Sequence, residues 1–107
     1  MDLANKKCIP CGGGIPSLEA VAIQSFMKGI DPAWRLVGEK KIVREFAFKD
    51  FKEAMAFVNR VAEIAEKEGH HPDVYIFYNI VRLELWTHAA NGLTENDFII
   101  AAKIDQL

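Results

Sequence analysis

The strongest periodic pattern in the chain is helical and follows Asp50. Apolar side chains recur there three and four positions apart, which is the spacing of one helix face packed on a core. That face consists of Phe51, Ala54, Met55, Val58, Val61, Ala62 and Ala65. Gly69 can end the helix in a left-handed conformation, and Pro72 prevents it from resuming. The pattern therefore predicts one long amphipathic helix between Asp50 and Gly69.

Two shorter helices are predicted nearer the ends of the chain. The first begins at Ser17, which is a favourable N-cap residue, and ends at Gly29. The last begins at the capping-box sequence Thr94–Asp97 and runs through Lys103. Both have apolar residues at helical spacing, so each is expected to pack one face on the core.

Segments with the alternation of β-strands come in two pairs. Residues 34–37 and 41–48 flank a short Gly-Glu turn, and residues 74–78 and 80–87 form the second pair. The order helix, hairpin, helix, hairpin, helix predicts an α+β domain. We expect a four-stranded antiparallel sheet with three helices packed on one face.

Alternation within the second hairpin assigns its side chains to two faces of the sheet. The residues expected to cover the core are Val74, Ile76, Val81, Leu83 and Leu85. The residues left on the outer face include Tyr75, Phe77, Ile80 and Trp86. Apolar and aromatic residues on an outer face favour contact with another subunit.

The amino-acid composition limits the classes of protein to which the chain can belong. The chain has 107 residues, of which 50% are hydrophobic and 26% charged, and this suits one globular domain. The net charge of −2 argues against a basic nucleic-acid-binding face. No apolar run approaches the roughly 18 residues of a membrane span, and the first residues lack the apolar stretch of a secretory signal. A cytoplasmic protein is the expectation.

The first sixteen residues are predicted to be a flexible leader, ahead of a single domain at 17–107. Three consecutive glycines, at 12–14, disfavour a regular element because of their backbone entropy. Cys8 and Cys11 form one CxxC pair, without the second pair or the spaced histidines of a zinc finger. We therefore expect two reduced thiols rather than a metal site.

All the histidines of the chain, His70, His71 and His88, lie within nineteen positions of one another. Imidazole can both give and take a proton near neutral pH. His70 and His71 follow the long helix, whereas His88 follows the last strand, so the three meet only if those two ends are adjacent. Three interpretations remain open at this point: exposed loop histidines, a zinc site, or an acid–base cluster.

Around these histidines the sequence resembles the signature of the pterin-4a-carbinolamine dehydratase family. The matching stretches are EGHHP at 68–72, YNIV at 78–81, TH at 87–88, GLT at 92–94 and Asp97. The resemblance implies dehydration of a 4a-hydroxytetrahydropterin to the quinonoid dihydropterin and water, with no metal or other cofactor. It further implies a homodimer or homotetramer that recycles the tetrahydrobiopterin-type cofactor of aromatic amino-acid hydroxylases, including phenylalanine hydroxylase.

The same resemblance implies roles for individual residues. His70 and His88 are expected to be the acid–base groups, in an order that the sequence leaves open. The expected substrate-binding residues are His71, Glu66, Thr87 and Asp97. Three of them also have purely structural interpretations: Glu66 as a solvated helix charge, Thr87 as a strand residue and Asp97 as a helix cap. Gly69 departs from the family, which often has a polar residue at that position.

Two other functions compete with pterin dehydration. Animal members of the family also bind a transcription factor as a dimerisation cofactor, so the chain could be a protein-binding module. A dehydratase-like protein acting on another pterin is the second alternative. The complete histidine set favours catalysis over a purely scaffolding role. No nucleic-acid or membrane partner is expected.

Overall fold

The computed structural model describes residues 2–10 and 15–107. Within them, three α-helices and four strands form an α+β domain. The helices are α1 (Ala20–Met27), α2 (Phe51–Glu68) and α3 (Glu95–Ile104). The strands are β1 (Arg35–Val37), β2 (Lys41–Ala47), β3 (Asp73–Phe77) and β4 (Ile80–Leu85). The sheet is antiparallel in the order β1-β2-β4-β3, which confirms the predicted fold class and element order.

The core lies between the sheet and the helices. Val81, Leu83 and Leu85 of β4 are fully buried, as their alternation predicts. Val74 of β3 is instead 41% exposed, so its assignment to the core is wrong. β3 lies at one edge of the sheet, whereas α2 lies over β4. The helices therefore cover β4 more completely than β3. No helix in the described residues is long and apolar enough to span a bilayer.

Helix α2 has the boundaries that its sequence predicts, and its buried face is rotated slightly. The Asp50 side chain accepts a hydrogen bond from the Glu53 N–H at 2.9 Å and caps the first turn. Phe57, which lies outside the predicted face, is buried, while Phe51 is half exposed. The Phe57 ring packs 4.6 Å from the Phe46 ring, centroid to centroid. Aromatic packing against β2 accounts for the rotation.

Gly69 ends α2 in a left-handed conformation, with φ 68°, and directs the chain toward the two histidines that follow. A Cβ added there would meet nothing within 4 Å, so the cost of a side chain is conformational. We expect Gly69→Ala to lower the free energy of unfolding by about 1 kcal/mol. Gly69→Asn should cost less, because asparagine tolerates this region better. Urea denaturation measures both variants, and an alanine variant as stable as the parent would contradict the expectation.

Helix α1 begins at Ala20 with Glu19 as its N-cap residue, two positions later than the predicted N-cap Ser17. The Leu18 N–H donates to the Leu93 carbonyl oxygen at 2.8 Å, so this backbone is held in a non-local contact. Strand β4 similarly ends at Leu85, and Thr87 pairs with Gly92 in an isolated bridge. In both places the backbone pairs with the loop before α3. It therefore does not continue the helix or the strand that the local pattern predicts.

Residues 2–10 pack against the domain, in contrast with the loose leader that the sequence predicts. Leu3 is buried, and the Lys103 ammonium donates to the Ala4 carbonyl oxygen at 2.7 Å. The Cys8 N–H donates to Glu68 Oε1 at 2.9 Å, near the end of α2. Cys11 and the three glycines lie outside the described residues, so only Cys8 of the two predicted thiols is described.

Candidate active site

The three histidines line one cavity. It lies between the loop after α2 and the loop after β4, has a volume of about 320 Å³, and is lined by residues 69–73 and 86–89. A larger cavity, of about 540 Å³, lies between β2, α2 and the end of the chain, and its lining contains no histidine. Because the acid–base groups converge in the smaller cavity, it is the candidate active site.

Strand pairing explains why segments distant in sequence meet there. β3 and β4 are antiparallel neighbours, with Asp73 opposite Glu84. The start of β3 therefore lies beside the end of β4. His70 and His71 immediately precede β3, and His88 follows β4 after two residues. The fold thus satisfies the condition under which the three imidazoles can share a site.

His70 is held by a buried carboxylate. Its Nε2 lies 2.6 Å from Asp97 Oδ1; the His70 side chain is 11% exposed and that of Asp97 is 0% exposed. A carboxylate only accepts hydrogen bonds, so Nε2 carries the proton and Nδ1 is the nitrogen left for another partner. Asp97 does not line the cavity. It therefore holds His70 from behind the residues that line the cavity.

The Asp97 carboxylate is itself held by two further groups. Its Oδ2 accepts from the Thr94 N–H at 2.9 Å and from the Thr87 hydroxyl at 2.8 Å. Thr87 Oγ1 also lies 2.8 Å from Thr94 Oγ1. Because Thr87 gives its one proton to Asp97, Thr94 donates in that contact. This capping network orders the start of α3 and the wall behind His70 together.

His71 and Glu66 form a separate pair at the rim of the cavity. His71 Nε2 contacts Glu66 Oε2, and both side chains are exposed, by 57% and 78%. Such an exposed pair contributes little to stability. Glu66 is absent from the cavity lining, whereas His71 is part of it. The carboxylate of Glu66 therefore orients His71 and reaches the cavity only through it.

His88 lines the cavity from the loop after β4 and packs against an aromatic ring. Its imidazole packs in a tilted arrangement against the Trp86 indole, with ring centroids 3.9 Å apart and planes 33° apart. The indole Nε1–H donates to Asp73 Oδ2 at 3.1 Å. From the sequence alone, Trp86 is expected only to take part in a subunit contact. Its position two residues before His88, on the same strand face, is the signal that could have associated it with the site.

Charges on the outer sheet face beside Trp86 are paired. Lys41 donates to Glu84 Oε1 at 2.8 Å, and this hydrogen bond raises the pKa of Lys41 above its ordinary value. Glu84 is mostly buried and also lies 3.4 Å from the Arg82 guanidinium. Among the described residues, no group of three His, Cys, Asp or Glu side chains is arranged to hold a metal ion. The zinc interpretation gains no support from that part of the chain.

The chain is also similar to known proteins. A family model described as pterin 4 alpha carbinolamine dehydratase matches residues 16–107. A protein of Nitrosospira multiformis, provisionally named pterin-4-alpha-carbinolamine dehydratase, is 50% identical over 106 residues, which cover 99% of this chain and 92% of that protein.

Two solved structures are also similar. One is described as a transcriptional coactivator/pterin dehydratase from Brucella melitensis, with TM-score 0.78 and 37% identity over 84% of this chain and 96% of that chain. The other is described as a pterin dehydratase-like protein that is a RuBisCO assembly factor in the alpha-carboxysome. It has TM-score 0.59 and 25% identity over 69% of this chain and 87% of that chain.

Proposed function

The chain belongs to the pterin-4a-carbinolamine dehydratase family, and from this premise we propose that its histidine cavity dehydrates a 4a-hydroxytetrahydropterin. The observation that carries the proposal is the convergence of His70, His71 and His88 in one cavity from two separate loops. Convergent imidazoles suit a reaction that consists of two proton transfers.

The proposed chemistry needs one proton delivered and one removed. The 4a-hydroxyl receives a proton, its bond to C4a breaks, and water leaves. The proton on N5 is removed, and the electron pair of its N–H bond forms the double bond between N5 and C4a. Atoms and charge balance without an oxidant or reductant. His70 and His88, which line the cavity from different loops, are the proposed acid–base pair, and His71 holds the ring at the rim.

The biological setting follows from the product. A quinonoid dihydropterin can be reduced to the tetrahydropterin by a separate reductase, so the dehydration is one step in recycling the cofactor of an aromatic amino-acid hydroxylase, such as phenylalanine hydroxylase. We propose that the protein works in the cytoplasm as a homo-oligomer. The exposed Tyr75 and Phe77 on the edge strand β3 support subunit contact there.

The direct test is turnover of chemically generated 4a-hydroxytetrahydropterin, followed by stopped-flow absorbance. The proposal expects the wild-type protein to accelerate the loss of this compound over buffer. A correctly folded wild-type protein with no acceleration would refute it.

His71→Ala separates binding from chemistry in the same assay. We expect KM to rise about 10-fold, with kcat within about 3-fold of wild type, because a hydrogen bond made equally in ground and transition states is lost. Glu66→Gln should raise KM less, since the imidazole remains. A fall in kcat at unchanged KM would instead give His71 a part in proton transfer.

A protein-binding module is the second candidate function. The structures from Brucella melitensis and the alpha-carboxysome are described with coactivator and assembly roles, and these roles belong to those proteins. Such a function needs the surface of the fold and not the imidazoles. Absence of turnover in a folded protein would favour it over dehydration.

A further inference from the structure

We propose that Trp86 is a positioning residue that holds the His88 imidazole against the wall of the cavity, and that Asp73 in turn holds Trp86. The inference rests on the proposed function insofar as it assigns a kinetic effect to this support. The geometry of the support can be measured independently of any reaction.

The three histidines differ in how they are held. His70 has a carboxylate partner in Asp97, and His71 has one in Glu66. Among residues 2–10 and 15–107, His88 makes no side-chain hydrogen bond or ion pair, and its ring contacts Trp86 at 3.9 Å. Because His88 is exposed, an unsupported imidazole there would sample several rotamers. The indole therefore restrains the His88 ring, as the carboxylates restrain the rings of His70 and His71.

The indole can do this because it is anchored itself. Trp86 is half-buried, and its Nε1–H donates to Asp73 Oδ2 at 3.1 Å. A tryptophan has only two side-chain torsions, so one hydrogen bond and one packed face restrict it strongly. Packed aromatic rings attract each other beyond the area that they bury.

Asp73 also connects the two walls of the cavity. It is the first residue of β3 and follows the His71-Pro72 loop, whereas Trp86 follows β4. Their hydrogen bond spans from the loop of His70 and His71 to the loop of His88. The contact thus sets the position of His88 relative to the other two imidazoles, which is the quantity that paired proton transfer depends on.

The position of the ring can be measured by NMR. The ring current of the indole should displace the His88 Hδ2 and Hε1 resonances from their usual positions, and the His88→Gln spectrum identifies these signals. We expect the displacement to disappear in Trp86→Ala and to persist at reduced size in Trp86→Phe. Phe77→Ala is the matched control, because it removes an exposed ring of the same sheet face outside the cavity. It should leave the His88 signals unchanged.

Kinetics then test the functional consequence. Loss of positioning should lower kcat about 10-fold in Trp86→Ala with KM within about 2-fold, and Trp86→Phe should recover most of the rate. Asp73→Ala should lower kcat about 3-fold, while Asp73→Asn, which keeps an acceptor oxygen, should restore it. A role in stacking on the substrate would instead raise KM.

Two outcomes overturn the proposal: His88 resonances that are the same in Trp86→Ala and wild type, or an alanine variant with unchanged kcat. If Trp86→Ala does not fold, the His88 resonances and kcat of Trp86→Phe and the Asp73 variants are compared with those of wild type instead. Failure of the proposed function is recognised separately, because wild type and His88→Gln would then be equally inactive while the ring-current displacement remained.

Discussion

His88→Ala is expected to lower kcat about 100-fold, the largest loss from a single surface side chain in this protein. A positioned acid or base contributes about 10²–10⁴ in rate, and the proposed reaction uses two. Since His88 is exposed and carries no hydrogen-bond network, its removal should change stability by no more than about 0.5 kcal/mol. Stopped-flow turnover and urea denaturation of the same preparation measure the two effects.

Added imidazole distinguishes a lost proton-transfer group from a general disturbance. The position of His88 is open to solvent, so free imidazole should partly restore turnover to His88→Ala in a concentration-dependent way. His70→Ala should lose a comparable rate without rescue, because its side chain is only 11% exposed and its loss leaves the buried Asp97 carboxylate without its imidazole partner. Full activity of His88→Ala would remove His88 from the proposed pair.

The fold was predictable from sequence wherever local signals decide the structure. Asp50 and Gly69 bound α2 because a cap side chain and a left-handed glycine act within a few residues. Alternation in β4 identified its buried face because the strand is central and covered by α2. The start of α1 was not predictable in this way, since the backbone of Leu18 is bonded to Leu93, far along the chain.

The site was predictable in part, and for a related reason. The histidines mark it because their residue type carries the chemistry. The supports of those histidines depend on contacts that no local pattern specifies. Asp97 has a capping-box position that fully explains it locally, yet it also holds His70, 27 residues away in sequence. Trp86 looks like an ordinary outer-face residue until the pairing of β3 and β4 brings Asp73 beside it.

Asp97→Asn is the second change with a large expected effect on kcat, because Asp97 both caps α3 and holds His70. The variant can keep its carbonyl oxygen toward the Thr94 N–H and the Thr87 hydroxyl, so the start of α3 should survive with a loss of about 1–2 kcal/mol. Its amide NH₂ then faces His70 Nε2 and donates to it, which moves the imidazole proton to Nδ1. Since this is the wrong tautomer for the cavity, kcat should fall about 100-fold or more.

Asp50→Asn is the matched control for this change. It makes the same substitution at the start of α2, where the carboxylate also accepts a backbone N–H, but away from the cavity. It should cost a few tenths of a kcal/mol in stability and leave kcat unchanged, because asparagine is also a good N-cap. Imidazole ¹⁵N shifts report the His70 tautomer directly and should change only in Asp97→Asn. Unchanged shifts together with unchanged kcat would mean that Asp97 caps the helix and does nothing more, whereas a changed tautomer with full activity would exclude His70 from proton transfer.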